Sequence, residues 1–235
     1  MRDILETEQG IPIHTVRHRR SSGLAIFAVL MSIGATLYLP AQASQHGRPT
    51  ILILGDSLSA GYGLPRGTSW VDLLRHRLSH RDPTFQVINA SVSGETSGEG
   101  RARLPALLSR WHPFLVILEL GGNDGLRALP PSELETNLQA MIIRARAAHA
   151  CVLLLGIRLP PNYGPLYTHA FSTVYRQVAN RTHVPWVPFF LAPVATHRHD
   201  MQPDHLHPNA RAQPLILAWI WPTLAPLLQP ESPCA

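Results

Sequence analysis

The chain predicts an α/β fold in which one parallel sheet carries helices on both faces. Three observations lead there. From residue 49 onward, short apolar runs alternate with longer amphipathic stretches. The runs are apolar throughout rather than at every second residue, as expected of strands buried on both faces. The segments richest in glycine, serine and acidic residues follow those runs, at the sheet edge where α/β proteins gather their working groups.

The elements read off in order. Thr50 to Leu54 is an apolar run that stops at a glycine. Trp70 to His80 has helical spacing, with Leu73, Leu74 and Leu78 inward. Phe85 to Asn89 reads as the second strand, and Glu99 to Trp111 as a helix with Leu104, Leu107 and Leu108 on one face. Phe114 to Leu120 is a third strand, nearly all apolar. Ser132 to Ala148 is helical, and Ser132 three residues before Glu135 suits a capping box. Cys151 to Ile157 is the fourth strand, Leu166 to Thr182 a helix, and Val184 to Val187 a short fifth strand. Pro208 to Leu228 is the closing helix, shortened or broken near Pro214 and Pro222.

The first 43 residues read as an export signal. Arg17, Arg19 and Arg20 flank an uncharged, mostly apolar stretch from Gly23 to Leu39, and Ala41-Gln42-Ala43 fits a small-x-small cleavage site. The alternative is an uncleaved anchor, against which stand the short span and its Ser32 and Gly34. The segment before Arg17 is long for a signal flank, so the true start is expected near Val16. Residues 44–235 then form a single domain, large enough for a sizeable core. The expected address is periplasmic or secreted.

Composition excludes some function classes. All 20 basic residues are arginine, against 15 acidic ones, and past Arg20 they are scattered with no basic run. Nucleic-acid binding is not expected. Of the two cysteines, Cys151 opens an apolar run and reads as a buried small hydrophobe, while Cys234 lies in a proline-rich tail; a disulfide between them in an oxidising compartment is the less favoured alternative. Neither has metal-ligand spacing. His197, His199, Asp200, Asp204, His205 and His207 are dense in imidazole and carboxylate, but no further ligand pattern joins them, so no metal is expected.

Four separated segments supply the groups of a serine hydrolase: Gly55-Asp56-Ser57-Leu58, Ser93-Gly94-Glu95, Gly121-Gly122-Asn123-Asp124 and Asp204-His205-Leu206-His207. A hydroxyl attacks a carbonyl usefully only when a base takes its proton and donors hold the oxyanion. Ser57, at a sharp turn after the first strand, is the candidate nucleophile, although serine at a helix start also serves as a plain cap. Gly94 offers a backbone N–H that no side chain obstructs. Asn123 offers a side-chain amide; Asp124 is assigned to holding the loop. Asp204 and His207 are three apart, so a carboxylate can bond one ring nitrogen while the other faces Ser57. His205 is the rival base, two positions from His207 and turned elsewhere.

These segments resemble the blocks of the SGNH, or GDSL, hydrolases, with Ser57, Gly94, Asn123 and His207 in the name-giving positions. Residues 55–64, 89–98, 119–127, 157–164 and 201–209 are similar to the bacterial periplasmic thioesterase I group, also described as lysophospholipases and arylesterases. The likeness runs from about residue 49 to 228. It implies a three-layer α/β/α sandwich with a five-stranded, flavodoxin-like parallel sheet. It implies acylation of Ser57, with His207 as base and then acid and Asp204 orienting it. Ser57, Gly94 and Asn123 would form the oxyanion hole, and the stretches after Asn123 and from Leu159 to Gly164 would border an acyl groove. His205 departs from the group, which has a small residue there. The expected substrates are small acyl esters, thioesters or lysophospholipids, with no cofactor, acted on by a monomer or weak dimer. Leu58, Leu126, Leu129, Ile157, Leu159 and Pro160 near the site favour acyl chains over the runner-up, a carbohydrate O-deacetylase. A non-enzymatic acyl or lipid carrier would need no aligned base.

Overall fold

A computed structural model describes residues 48–81 and 85–229; the export-signal reading of residues 1–43 lies outside the described residues. In chain order the elements are β1 (Thr50–Gly55), α1 (Ser57–Ala60), α2 (Trp70–Arg81), β2 (Gln86–Asn89), α3 (Ser97–Trp111), β3 (Leu115–Glu119), α4 (Gly122–Leu126), α5 (Pro131–Ala147), β4 (Cys151–Leu155), α6 (Pro165–Thr182), β5 (Trp186–Val187) and α7 (Gln213–Leu224). Short 3₁₀ turns follow at Pro161–Tyr163, Arg198–Asp200 and Ala225–Leu228.

All strand pairings are parallel, in the order β2-β1-β3-β4-β5. The three-layer α/β/α, flavodoxin-like expectation holds. α2 packs with α7, while α5 lies between α3 and α6. Ile51 to Leu54 and Leu115 to Leu118 are wholly buried, which is why their sequences show no polar alternation. Each such leucine or isoleucine contributes roughly 1.5–3 kcal/mol by leaving water. The sheet therefore forms a rigid floor, with every strand's carboxyl end on one edge.

Three sequence expectations shift. The fifth strand shrinks to Trp186–Val187, because Pro185 and Pro188 bracket it and neither can donate to a ladder. The closing helix begins at Gln213 rather than Pro208, since the residues before it are used in loop bonds such as Asn209 N–H to the Asp200 carbonyl at 2.8 Å. The capping box falls on α3 instead of α5. Thr96 Oγ1 accepts the Glu99 N–H and Glu99 accepts the Thr96 N–H at 2.7 Å, whereas α5 starts with Pro131 and has no side-chain cap. Cys151 is corrected too: it is disulfide-bonded, not a plain buried thiol.

Candidate active site

The loops at the carboxyl edge converge on Ser57. β1 ends at Gly55, paired with Glu119 at the end of β3. Asp56 follows and caps α1, its Oδ1 accepting the Leu58 N–H at 3.0 Å. Ser57 is thus the first residue of a helix, where the backbone N–H has no intrahelical partner and stays available to a ligand.

The loop before α7 brings an imidazole to this hydroxyl. His207 Nε2 lies 2.9 Å from Ser57 Oγ, and His207 Nδ1 lies 2.7 Å from Asp204 Oδ2. Asp204 Oδ1 also accepts the N–H groups of Leu206 and His207 at 2.9 and 3.0 Å. Burial raises the Asp204 carboxyl, but these bonds outweigh it and hold the group down at about 2. An ionised carboxylate only accepts, so Nδ1 carries the hydrogen and Nε2 is left to take the serine proton. The Tyr62 ring lies 4.7 Å from that of His207, centre to centre.

This loop is braced by groups that sequence reasoning missed. Gln202 N–H donates to the His207 carbonyl at 2.7 Å, and its side-chain amide donates to the carbonyls of Tyr62 (2.8 Å) and Pro208 (3.1 Å). Asn209 and Gln213 bond the backbone on either side. Gln202 and Asn209 fall within the 201–209 segment of family resemblance, but an amide carries no chemistry-bearing pattern of its own, and only the fold shows what these side chains span. His205 is exposed and sits in left-handed backbone at φ 56°.

The candidate donors come from the loops after β2 and β3. Gly94 has φ 85° and open space where a Cβ would stand, so its glycine is required by conformation rather than by crowding. Its carbonyl accepts from Arg127 Nη2 at 2.8 Å. The next residue, Glu95, is buried and paired with Arg103, which also reaches the Ala90 carbonyl. Asn123 Nδ2 donates to the Glu95 carbonyl at 3.0 Å and to Asp56 Oδ2 at 3.2 Å. Asp124 is buried and accepts the Ser97 N–H at 2.8 Å and the Ser97 hydroxyl, tying the two loops together.

Beneath the serine lies a pair of buried carboxyls. Burial pushes Asp56 up to about 6, with Asp124 and Glu95 adding to the rise, against the Leu58 N–H and His207. Glu119 is fully buried and pushed well above its ordinary value by burial and then by Asp56. Ser59 Oγ donates to Glu119 Oε2 at 2.6 Å, while Oε1 has no partner among the described residues.

A cavity of about 550 Å³ opens beside Ser57 and His207. Leu58, Leu126, Ile157, Leu159 and Pro160 line it as expected; Leu129 does not. Phe189, Leu191 and Met201 complete the apolar wall, with Arg158 and His205 among the polar lining. Among the described residues no group of three or more His, Cys, Asp and Glu is placed to hold a metal.

Comparison with known proteins identifies the family. A family model described as GDSL-like Lipase/Acylhydrolase family matches residues 53–214. The chain is 51% identical over 201 residues to "Esterase TesA" of Pseudomonas aeruginosa, covering 86% of this chain and 99% of that protein. It is 46% identical over 183 residues to "Thioesterase 1/protease 1/lysophospholipase L1" of Escherichia coli K12, covering 78% and 86%. A crystal structure of TesA superposes with a TM-score of 0.74 at 53% identity, over 76% of this chain and 99% of that one. The chain belongs to the GDSL-like lipase/acylhydrolase family and is a serine ester hydrolase.

Proposed function

We propose that this member of the GDSL-like lipase/acylhydrolase family is an exported esterase and thioesterase that works through an acyl-enzyme on Ser57, within a single domain spanning residues 44–235. The observation that carries the reading is the line of contacts from Asp204 through His207 to Ser57, 2.7 and then 2.9 Å, on the wall of a mainly apolar cavity.

The chemistry follows from those contacts. Ser57 Oγ attacks the acyl carbon as its proton passes to His207 Nε2, and Asp204 stabilises the imidazolium. The carbonyl oxygen becomes an oxyanion held by the N–H groups of Ser57 and Gly94 and the Asn123 amide. Each such donor is worth roughly 2.7–4 kcal/mol of transition-state stabilisation. The tetrahedral adduct collapses, the C–O or C–S bond breaks, and the alcohol or thiol leaves with the proton from His207. Water then attacks the Ser57 ester with His207 as base; the acid departs and the serine regains its proton.

The apolar wall fits an acyl chain better than a sugar, which disfavours carbohydrate deacetylation. The names of the relatives, esterase and thioesterase/lysophospholipase, point to the same substrates. Export is supported by the charged flank, apolar stretch and small-x-small site of the first 43 residues, and by the disulfide at Cys151, which suits an oxidising compartment.

The direct test is Ser57→Ala assayed on p-nitrophenyl butyrate and on an acetyl-to-palmitoyl series of matched esters and thioesters. Turnover should vanish while the variant stays folded, and a fluorophosphonate should label wild type but not the variant. Retained activity in Ser57→Ala refutes the reading.

A further inference from the structure

We propose that Asp56 is a positioning residue that holds the Asn123 amide in the resting enzyme and releases one of its hydrogens to the substrate oxygen as negative charge develops there. The inference rests on the reading of Ser57 as nucleophile and Asn123 as oxyanion donor.

An asparagine amide has two hydrogens, and both are engaged at rest. One goes to the Glu95 carbonyl at 3.0 Å, a backbone acceptor in a loop fixed by the Glu95–Arg103 ion pair. The other goes to Asp56 Oδ2 at 3.2 Å, the longer contact and the one made to a side chain. An oxyanion can recruit Asn123 only by displacing an existing partner, and Asp56 is the partner that yields. A carboxylate outcompetes a neutral ester carbonyl for an amide hydrogen, so the exchange is unfavourable before reaction and favourable once the carbonyl oxygen is charged. What Asp56 contributes to the rate is orientation: its carboxylate fixes the Asn123 amide before substrate arrives, so the donor needs no reorganisation as charge develops, and that fixed orientation is lost in Asp56→Asn.

The surroundings supply the compensation. Asp56 keeps the Leu58 N–H on its other oxygen when Asn123 leaves. At the same moment His207 gains a positive charge, and among the described residues His207 is the group of opposite sign that acts on Asp56; Glu119 of β3, Glu95 of the loop after β2 and Asp124 of α4 all oppose its ionisation. Asp56 thus touches two parts of the machinery at once, the helix start that carries Ser57 and the amide of Asn123. Gly122 fits the same reading, since a Cβ there would come within 2.8 Å of Asp56 Oδ2 and push the carboxylate off Asn123.

The experiment is a double-mutant cycle on p-nitrophenyl butyrate with Asp56→Asn and Asn123→Ala, each checked for thermal unfolding and fluorophosphonate labelling. Asp56→Asn retains a good helix cap, so it leaves the Ser57 end intact while offering Asn123 no carboxylate. Loss of one oxyanion donor costs about 10²–10³ in kcat; Asp56→Asn should cost on the order of 10-fold to 10²-fold in kcat with little change in KM. In the Asn123→Ala background the same substitution should cost under about 3-fold, because its route of action is gone. Multiplicative losses, or an unchanged kcat in Asp56→Asn, overturn the proposal while labelled Ser57 leaves the hydrolase reading standing. Wild type that fails to label overturns both.

Discussion

Two carboxylates flank the same serine and live in opposite surroundings. Asp204 has a side chain 40% exposed and takes three hydrogen bonds from the His207 and Leu206 groups, which hold it low. Asp56 is 2% exposed, faces three other acids and is held high. The first is a permanent charge, suited to stabilising an imidazolium. The second is reluctant to ionise and responsive to its neighbours, suited to holding a group that must be let go. The residue type is identical; desolvation and hydrogen bonding set the difference.

The largest effect should come from the exposed side of this comparison. Asp204→Asn leaves the shape of the loop but donates toward Nδ1 or forces the wrong tautomer, and kcat should fall by roughly 10⁴. A loss no greater than that of Asp56→Asn would erase the distinction between the two acids. Next comes the support of the oxyanion loop. Glu95 is 3% exposed and its charge is met by Arg103, so Arg103→Met leaves a buried carboxylate unpaired. Breaking a pair in this way costs about 3–5 kcal/mol, and Arg103 lies partly in solvent, so the lower end is expected. Urea unfolding measures it. An unchanged midpoint would show that Glu95 is served by other groups.

The contrast also marks what the residues announce by themselves. Buried strands declare themselves because a parallel sheet covered on both faces tolerates no polar alternation, so β1 and β3 were legible almost to their ends. Ser57, Gly94, Asn123, Asp204 and His207 each have an ordinary reading as cap, turn or loop, and were legible as candidates because together they supply a nucleophile, a base, a carboxylate and donors, in segments that resemble the blocks of one family. The roles of Asp56 and Glu119 were not legible. An acid in a glycine-serine turn looks like any cap, and only the pairing of β3 beside β1 brings a second carboxyl to it. Gln202 and Arg127 were hidden for the same reason: they act through backbone carbonyls, and a carbonyl leaves no trace in the choice of residue. The start of α7 was hidden because loop bonds such as Asn209 to Asp200 take up the residues before it, and the two-residue β5 was blurred by prolines, whose effect depends on which N–H the fold needs.

The buried side makes a pH-dependent prediction. Glu119 and Asp56 both bind protons more tightly folded than unfolded, so their contribution to stability is present below the ordinary carboxylate range and is lost as pH rises through about 6 and beyond. Asp204 runs the other way: its contribution is present above about 4 and is lost as pH falls towards about 2. Glu119→Gln keeps an oxygen for Ser59 and removes the charge. Its melting temperature should exceed that of wild type by several degrees at pH 8, on the order of 2–6 °C, and by much less at pH 5. A gap independent of pH would mean that Glu119 binds its proton no more tightly in the fold than in the unfolded chain, or that the amide merely packs better.

The smallest effect is expected at His205, the residue that follows Asp204 in the chain. Its φ of 56° places an imidazole-bearing residue in left-handed backbone, a conformation that costs a non-glycine residue about 1–2 kcal/mol. Glycine removes that strain but brings extra freedom to the unfolded chain, worth roughly 0.5–1 kcal/mol against it. His205→Gly should therefore stabilise the fold by only about 0.5–1 kcal/mol. The informative readout is the pH dependence of kcat. If His207 alone is the base, the alkaline rise in rate survives in His205→Gly and disappears with the activity in His207→Ala. Loss of that rise in His205→Gly would bring the rival imidazole into the reaction and unsettle the assignment of Asp204, whose contacts are all to the loop on His207's side.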